Sequence, residues 1–133
     1  MIHTVPWVHE AVFPAESSSP SQARLFVSMR LFEHGLERLG DDLSVVVSEL
    51  ATNAVLHARS QFSVRLEGTG GGHVLLGVQD DGPPIPALVH AGATSTSGRG
   101  LHLVDALSHG WGVRPLAGSG KEVWASFEVG PAH

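Results

Sequence analysis

Large apolar side chains recur at helical spacing in the first third of the chain. Five of them follow one another at intervals of four, three, four and three residues, namely Leu25, Met29, Phe32, Leu36 and Leu39. This spacing predicts an amphipathic helix that turns these side chains towards the core. Ser19, Pro20 and Gln22 fit a capping box at its start, and Gly40 is expected to end it.

A second amphipathic helix is predicted from Asp41 or Asp42 to about Ala58. Its apolar residues project within about 60° of one direction at 100° per residue. They are Leu43, Val46, Val47, Leu50 and Ala54. Glu49 and Asn53 are four residues apart, so they lie on adjacent turns along one edge of that apolar face.

Beyond residue 60 the apolar positions alternate with a period of two, which is typical of β-strands. Two such runs, 62–66 and 74–78, flank a glycine-rich turn and predict a β-hairpin. An edge strand is predicted near the N-terminus, at 8–13. Two further strands are predicted at 111–113 and 123–129.

The segment 85–98 shows no periodicity and is interpreted as a loop before a short helix at 101–107. Hairpin-linked strands beside helices predict an α+β fold. The expected architecture is a two-layer sandwich of a mixed, largely antiparallel sheet with helices on one face. The length of 133 residues fits a single domain, 1–133, with a short flexible N-terminus at about 1–7.

Composition excludes several classes of function. The absence of cysteine excludes a disulfide scaffold, a cysteine-ligated zinc site and a thiol nucleophile. The net charge of −5 argues against direct binding of nucleic acid, which depends on clustered Lys and Arg. No apolar run is long enough to span a membrane, so a cytoplasmic protein is expected. None of the nine histidines forms a helical i, i+4 pair, so a zinc site is not expected.

Three segments carry polar groups that core packing does not require. Glu49 and Asn53 offer a proton acceptor and an amide oxygen of the kind that Mg²⁺ binds. Asp80 ends a strand, where its carboxylate can accept a hydrogen bond from an amine such as that of adenine. The sequence Gly-Arg-Gly at 98–100 precedes a predicted helix, whose free N–H groups suit a phosphate. Taken singly, these segments also fit a solvated helix edge, a strand-to-turn junction and a loop.

Taken together and in this order, the three segments resemble the ATP-binding boxes of the GHKL, or Bergerat-fold, superfamily. The stretches SELATNAVLHA at 48–58 and GRGLHLVDAL at 98–107 are similar in particular to the small bacterial anti-sigma-factor serine/threonine kinases. The resemblance covers about residues 20–129, which is nearly the whole chain.

The resemblance implies a role for each matching residue. Asn53 would coordinate a Mg²⁺ ion that bridges the phosphates of ATP, and Glu49 would act as general base or orient the attacking group. Asp80 would accept a hydrogen bond from the adenine amine, with Gly82 allowing the base to approach. The second glycine box would hold the phosphates beneath a short lid with Gly98, Arg99, Gly100 and Leu101.

The function implied by the resemblance is a kinase that phosphorylates an anti-sigma factor antagonist, binds a sigma factor and regulates transcription by partner switching. A homodimer is a further expectation. One residue departs from the family pattern, because Pro84 replaces the second glycine of the first glycine box and removes a backbone N–H. A nucleotide-responsive protein-binding module without productive catalysis therefore stays open as an alternative, and so does a globular domain with no nucleotide site.

Overall fold

The computed structural model describes residues 5–82 and 96–130, and for residues 96–101 it describes the backbone alone. One sheet has the strand order β1-β2-β3-β5-β4. Its strands are β1 (Trp7–Phe13), β2 (Phe62–Gly68), β3 (His73–Asp80), β4 (Gly110–Pro115) and β5 (Lys121–Glu128). Three α-helices are described: α1 (Ser19–Glu33), α2 (Gly40–Asn53) and α3 (Thr96–Leu107). A 3₁₀ turn, Glu37–Leu39, precedes α2, and a π-helical turn, Ala54–Ala58, follows it.

The sheet and helices form the two-layer α+β sandwich that the sequence predicts. All four strand pairings are antiparallel, and the predicted hairpin is the pair β2 and β3. Helices α1 and α2 contact each other and cover one face of the sheet. On that face Leu66, Leu76 and Ala125 are register neighbours on three strands, and all three are fully buried. The other face is not covered by α1 or α2 and carries the alternate residues, such as Arg65 and Trp124.

Helix α2 buries the face that its sequence predicts. Leu43, Val46 and Val47 are fully buried, together with Leu50 and with Ala54 in the π-helical turn. The acidic residues Asp41 and Asp42 lie in the first turn, where negative charge favours the helix N-terminus. This face supplies the centre of the core between α1 and the sheet.

Helix α1 buries a different face from the predicted one. Its buried residues are Ser19, Ala23, Val27 and Leu31. The predicted core residues Leu25, Met29 and Phe32 are instead 60%, 48% and 68% exposed. Both stripes have helical spacing, and the structure buries the one that includes Val27 and Leu31. The predicted core face is therefore wrong for the residues within α1, whereas Leu36, beyond the end of the helix, is buried as predicted.

The predicted ends of α1 are also corrected. Ser18 is the N-cap residue and makes no side-chain capping bond, whereas Ser19 donates its hydroxyl to the carbonyl oxygen of Pro14 at 2.7 Å. The helix ends before Gly35, which has a φ of 69° that suits glycine. Gly40 begins α2 instead of ending α1.

The third helix begins at Thr96, five residues before the predicted start at residue 101. Residues 83–95, which include most of the predicted loop at 85–98, lie outside the described residues, and so does Pro84. Within 5–82 and 96–130, no helix combines the length and the hydropathy that crossing a membrane requires.

Candidate functional site

The edge of α2 presents the first candidate pair. Glu49 and Asn53 are half-buried on adjacent turns, and Asn53 is the last residue of the regular α-helix. The side-chain nitrogen Nδ2 of Asn53 is buried and has no hydrogen-bond partner in the described part of the chain. Buried polar groups almost always have a partner, so this nitrogen, like Nε of Arg30, is an exception that calls for an explanation.

The backbone departs from regular helix immediately after Asn53. Residues Ala54–Ala58 form a π-helical turn, which ends at Arg59 in the left-handed conformation with a φ of 55°. Such π-turns are rare and often lie at functional sites. A non-glycine residue in the left-handed region costs about 1 kcal/mol or more. The π-helical turn therefore leads to a strained residue, Arg59, shortly after the candidate pair Glu49 and Asn53.

The end of strand β3 lies against the end of this helix. Gly82 is buried, and a Cβ atom added to it would lie 3.3 Å from the Cβ of Ala58. The same atom would lie 2.8 Å from Nζ of Lys121 and 3.0 Å from Oδ1 of Asp80, so a side chain there would require the ion pair to shift. The structure thus brings the Asp80–Gly82 segment next to the turn that follows Asn53.

Asp80 lies in a buried ion pair. Its Oδ1 atom is 2.8 Å from Nζ of Lys121 and also accepts a 2.8 Å hydrogen bond from the backbone N–H of Gly82. Asp80 and Lys121 are only 8% and 4% exposed. Both contacts use Oδ1, so the carboxylate is held in one orientation while Oδ2 takes part in neither.

Lys121 is a residue that the sequence analysis did not select. It stands in the Gly-Ser-Gly-Lys segment at 118–121, which forms the turn into β5, and in the sheet register it is the partner of Asp80. Gly120 has a φ of 94° and packs against the backbone of Asp80, where a side chain would collide. The feature of the sequence that points to Lys121 is its position at the start of a strand in which apolar residues alternate with polar ones. Its partner could not be named without the β3–β5 register.

The second glycine segment belongs to α3, which packs against α2. Gly98 and Arg99 lie in the first turn of this helix, and Gly100 and Leu101 follow them. The first N–H groups of a helix have no intrahelical acceptor, and the helix dipole favours an anion there. The side chains of Arg99 and Leu101 lie outside the described residues, so their predicted contacts remain predictions.

A hollow of about 310 Å³ opens at the same end of the sheet but on its open face. It is lined by Asp80 and Asp81 together with residues of β1 and β2 that point away from the helices, including Glu10, Val12 and Ser63. Asp80 thus borders both the hollow and the candidate site, whereas Asn53 and Gly82 do not line the hollow.

A comparison of the sequence with known protein families shows the family to which the chain belongs. The model of the histidine kinase-like ATPase domain matches residues 13–127, which is most of the chain. The chain belongs to the histidine kinase-like ATPase family. The GHKL resemblance is thereby confirmed, and membership of this ATPase family implies that the domain binds ATP.

Two known proteins show how far the similarity extends. The uncharacterized protein SCO4941 of Streptomyces coelicolor is 47% identical over 53 residues, which cover 38% of this chain and 50% of that protein. The crystal structure of the RsbU and RsbW domains of Rv1364c from Mycobacterium tuberculosis matches with a TM-score of 0.67 and 19% identity. That match covers 92% of this chain and 32% of the other.

This chain therefore spans about half the length of the curated relative and about a third of the solved chain. At 19% identity the structural match confirms the α+β fold and no more than the fold.

The residues of this ATPase domain fit a magnesium–nucleotide complex at the α2 edge. The amide of Asn53 offers an oxygen ligand of the type that Mg²⁺ prefers. Its Nδ2 atom, which cannot bind a cation, has no partner within the described residues and could donate a hydrogen bond to a phosphate oxygen. Because the chain carries a net charge of −5, the attraction for a triphosphate has to come from local groups.

Proposed function

We propose that this histidine kinase-like ATPase domain is an ATP-dependent serine/threonine kinase of the anti-sigma-factor type. It would phosphorylate an anti-sigma factor antagonist, bind a sigma factor, and regulate transcription by exchanging these partners in the cytoplasm. The observation that carries the proposal is the edge of α2, where Asn53, with its buried and unpartnered Nδ2, lies one helical turn from Glu49 and where the turn that follows, at Ala58, lies against Gly82. The fold shared with a chain that contains RsbU and RsbW domains agrees with this proposal without showing the activity.

Two carboxylates have different tasks in this proposal. Glu49 lies one turn from Asn53 on a half-buried edge, where its carboxylate can take the proton of an attacking serine or threonine hydroxyl. Asp80 is held through Oδ1 by Lys121 and by the N–H of Gly82, which leaves Oδ2 to accept a hydrogen bond from the adenine amine.

The phosphates of ATP are assigned to groups on α3 and α2. The start of α3 would hold the phosphate chain, with the N–H of Gly98 in its first turn free of an intrahelical acceptor and with Arg99, Gly100 and Leu101 beside it, while Asn53 would hold the Mg²⁺ ion through its amide oxygen. When bound, Mg²⁺ neutralises charge on the phosphates. Phosphoryl transfer depends mainly on positioning and on charge stabilisation, so a small domain with these groups suffices once a partner presents a hydroxyl.

The outer face of α1 supports the involvement of a protein partner. An exposed apolar stripe runs along this face, with about one helical turn between successive residues. It consists of Leu25, Met29 and Phe32. Contiguous exposed apolar residues of this kind mark surfaces that contact other proteins. A sigma factor, the antagonist or a second copy of this chain would cover the stripe in the proposed partner switch.

The first test is a calorimetric titration with Mg-ATP. The wild-type domain is expected to bind ATP saturably, and Asn53→Ala is expected to weaken binding at least about tenfold, since it removes a ligand of the metal. Thr52→Ala, the neighbouring position on a different side of α2, serves as the matched control and should retain wild-type affinity. Equal affinities for all three proteins would remove Asn53 from the site, and no binding to the wild type would refute the nucleotide site.

The second test separates catalysis from binding. Candidate antagonist proteins are incubated with the domain and ATP labelled at the γ-phosphate, and transfer to serine or threonine is followed. Transfer by the wild type and its loss in Glu49→Gln, with ATP affinity retained, is the expected result. ATP binding with no transfer to any candidate by the wild type would favour the alternative, a nucleotide-responsive binding module.

A further inference from the structure

Three side chains of types that can bind metal ions meet at one end of the sheet, and Asp80 lies at the other end. His73 begins β3 and Glu128 ends β5, and the two are register partners in the antiparallel pair. His109 directly precedes β4, which pairs with β5 on its other side. One nitrogen of each histidine and one carboxylate oxygen of Glu128 all lie within 4.8 Å of one another.

The contacts inside this cluster are already close. The Nδ1 atom of His109 lies 3.6 Å from Oε1 of Glu128. The imidazole rings of His73 and His109 have their centroids 5.6 Å apart, with an angle of 50° between their planes. His109 and Glu128 are more than half exposed, so their side chains can rotate without disturbing the core.

The backbone beneath the cluster is fixed by hydrogen bonds. The N–H of His109 donates to the carbonyl of Ser126 at 2.7 Å, and the N–H of Val129 donates to the carbonyl of Gly72 at 2.8 Å. The carbonyl of His73 accepts bonds from the N–H and from the hydroxyl of Thr69. The three Cα positions are therefore held by the sheet, and only the outer side-chain atoms have to move.

We infer that His73, His109 and Glu128 form a binding site for a divalent transition metal ion, with Zn²⁺ the best fit. Two imidazoles and one carboxylate are a common zinc ligand set, in which a water molecule completes the tetrahedron. Bonds of about 2.0–2.1 Å place tetrahedral ligands roughly 3.3 Å apart. The present separations, at most 4.8 Å, close to that value by rotation of exposed side chains. Mg²⁺ prefers oxygen ligands and is disfavoured by the two nitrogens.

This site is independent of the proposed nucleotide site. His73 and Asp80 are the first and last residues of β3, and a strand rises about 3.3 Å per residue, so the two sites are roughly 23 Å apart. Its ligands come from the ends of β3 and β5 and from the residue before β4. A bound ion therefore joins these three strand ends and stabilises the folded state by mass action. The three residues are far apart in sequence, which is why histidine spacing alone predicted no zinc site.

The test uses the tag-free, chelator-treated full chain, titrated with Zn²⁺ by calorimetry and with Co²⁺ by visible absorption. One ion per chain is expected, with the strong d–d bands of tetrahedral Co²⁺ and their loss when Zn²⁺ is added. His73→Gln, His109→Gln and Glu128→Gln should each weaken Zn²⁺ binding at least about tenfold. His102→Gln, an exposed histidine on α3, is the matched control and should leave binding unchanged.

Three results would overturn the assignment. They are the absence of saturable Zn²⁺ binding, equal weakening by His102→Gln, and a melting temperature that responds to the three substitutions but not to Zn²⁺. The last would mean that the cluster is only a set of polar contacts at the sheet end. Because none of these measurements involves ATP, their failure is distinguishable from failure of the proposed kinase function.

Discussion

Helices α1 and α2 lie side by side on the same face of the sheet, but they use their apolar residues in opposite ways. In α2 the large apolar side chains are buried, as Leu43 and Leu50 show. In α1 the buried residues include Ser19 and Ala23, while Phe32 is 68% exposed. The pattern of α2 is explained by the fold alone. The pattern of α1 leaves an apolar outer stripe that folding does not require.

This difference in buried residues indicates that the two helices have different roles in the protein. The inner face of α2 supplies the centre of the core, and its edge carries Glu49 and Asn53. Helix α1 packs against the rest of the protein through the face that includes Val27 and Leu31, and it turns a second apolar stripe outward, where another protein can cover it. Five substitutions in three comparisons test this division of roles, in order of decreasing expected effect.

The largest effect is expected from two adjacent residues of α1. Leu31 is fully buried, so Leu31→Ala should lower the free energy of unfolding by about 2–5 kcal/mol, through lost burial and the cavity that remains. Phe32→Ala removes a larger side chain, but one that faces solvent, and should change stability by no more than about 0.5 kcal/mol. Urea unfolding of the two variants and the wild type measures both values. A larger loss of stability for Phe32→Ala than for Leu31→Ala would mean that the stripe predicted from the sequence is the one that faces the core.

The sequence predicts the fold well and α1 poorly, and the reason is physical. Strand alternation at 62–66 and 74–78 identifies the core face without ambiguity, because a shift of one residue would expose every apolar side chain. In α1 two stripes share helical spacing, and size alone favours Leu25, Met29 and Phe32. Which face is inward depends on how closely the helix must approach its neighbours, and one segment of sequence does not contain that information.

The candidate site shows the same limit. The pairing of Glu49 with Asn53 follows from helical spacing, and the importance of Asp80 follows from its place at a strand end. The ion pair between Asp80 and Lys121 depends on the register between β3 and β5, and the metal cluster depends on three strand ends that meet only in the folded sheet. Contacts within one element are predictable from sequence, whereas contacts between distant strands are not.

A second, smaller effect distinguishes two neighbouring serines at the start of α1. Ser19 is fully buried and donates its hydroxyl to the carbonyl of Pro14, so Ser19→Ala should cost about 1–2 kcal/mol by leaving that carbonyl without its donor. Ser18 is exposed and makes no side-chain capping bond, so Ser18→Ala should cost at most a few tenths of a kcal/mol. Thermal unfolding of both variants compares them. The reverse order would indicate that Ser18 caps the helix in solution.

Apart from the control variants, the smallest effect on stability is expected at Asn53, and its sign is informative. Because Nδ2 of Asn53 is buried without a partner, and because alanine favours a helix more than asparagine does, Asn53→Ala should raise the free energy of unfolding by about 0.5–1 kcal/mol. The same variant should lose the increase in melting temperature that Mg-ATP gives the wild type. Differential scanning calorimetry with and without Mg-ATP measures both. A destabilised variant that still responds to ATP would mean that Asn53 serves the fold. A stabilised variant that no longer responds means that α2 keeps this side chain for a ligand, at a cost to its own stability.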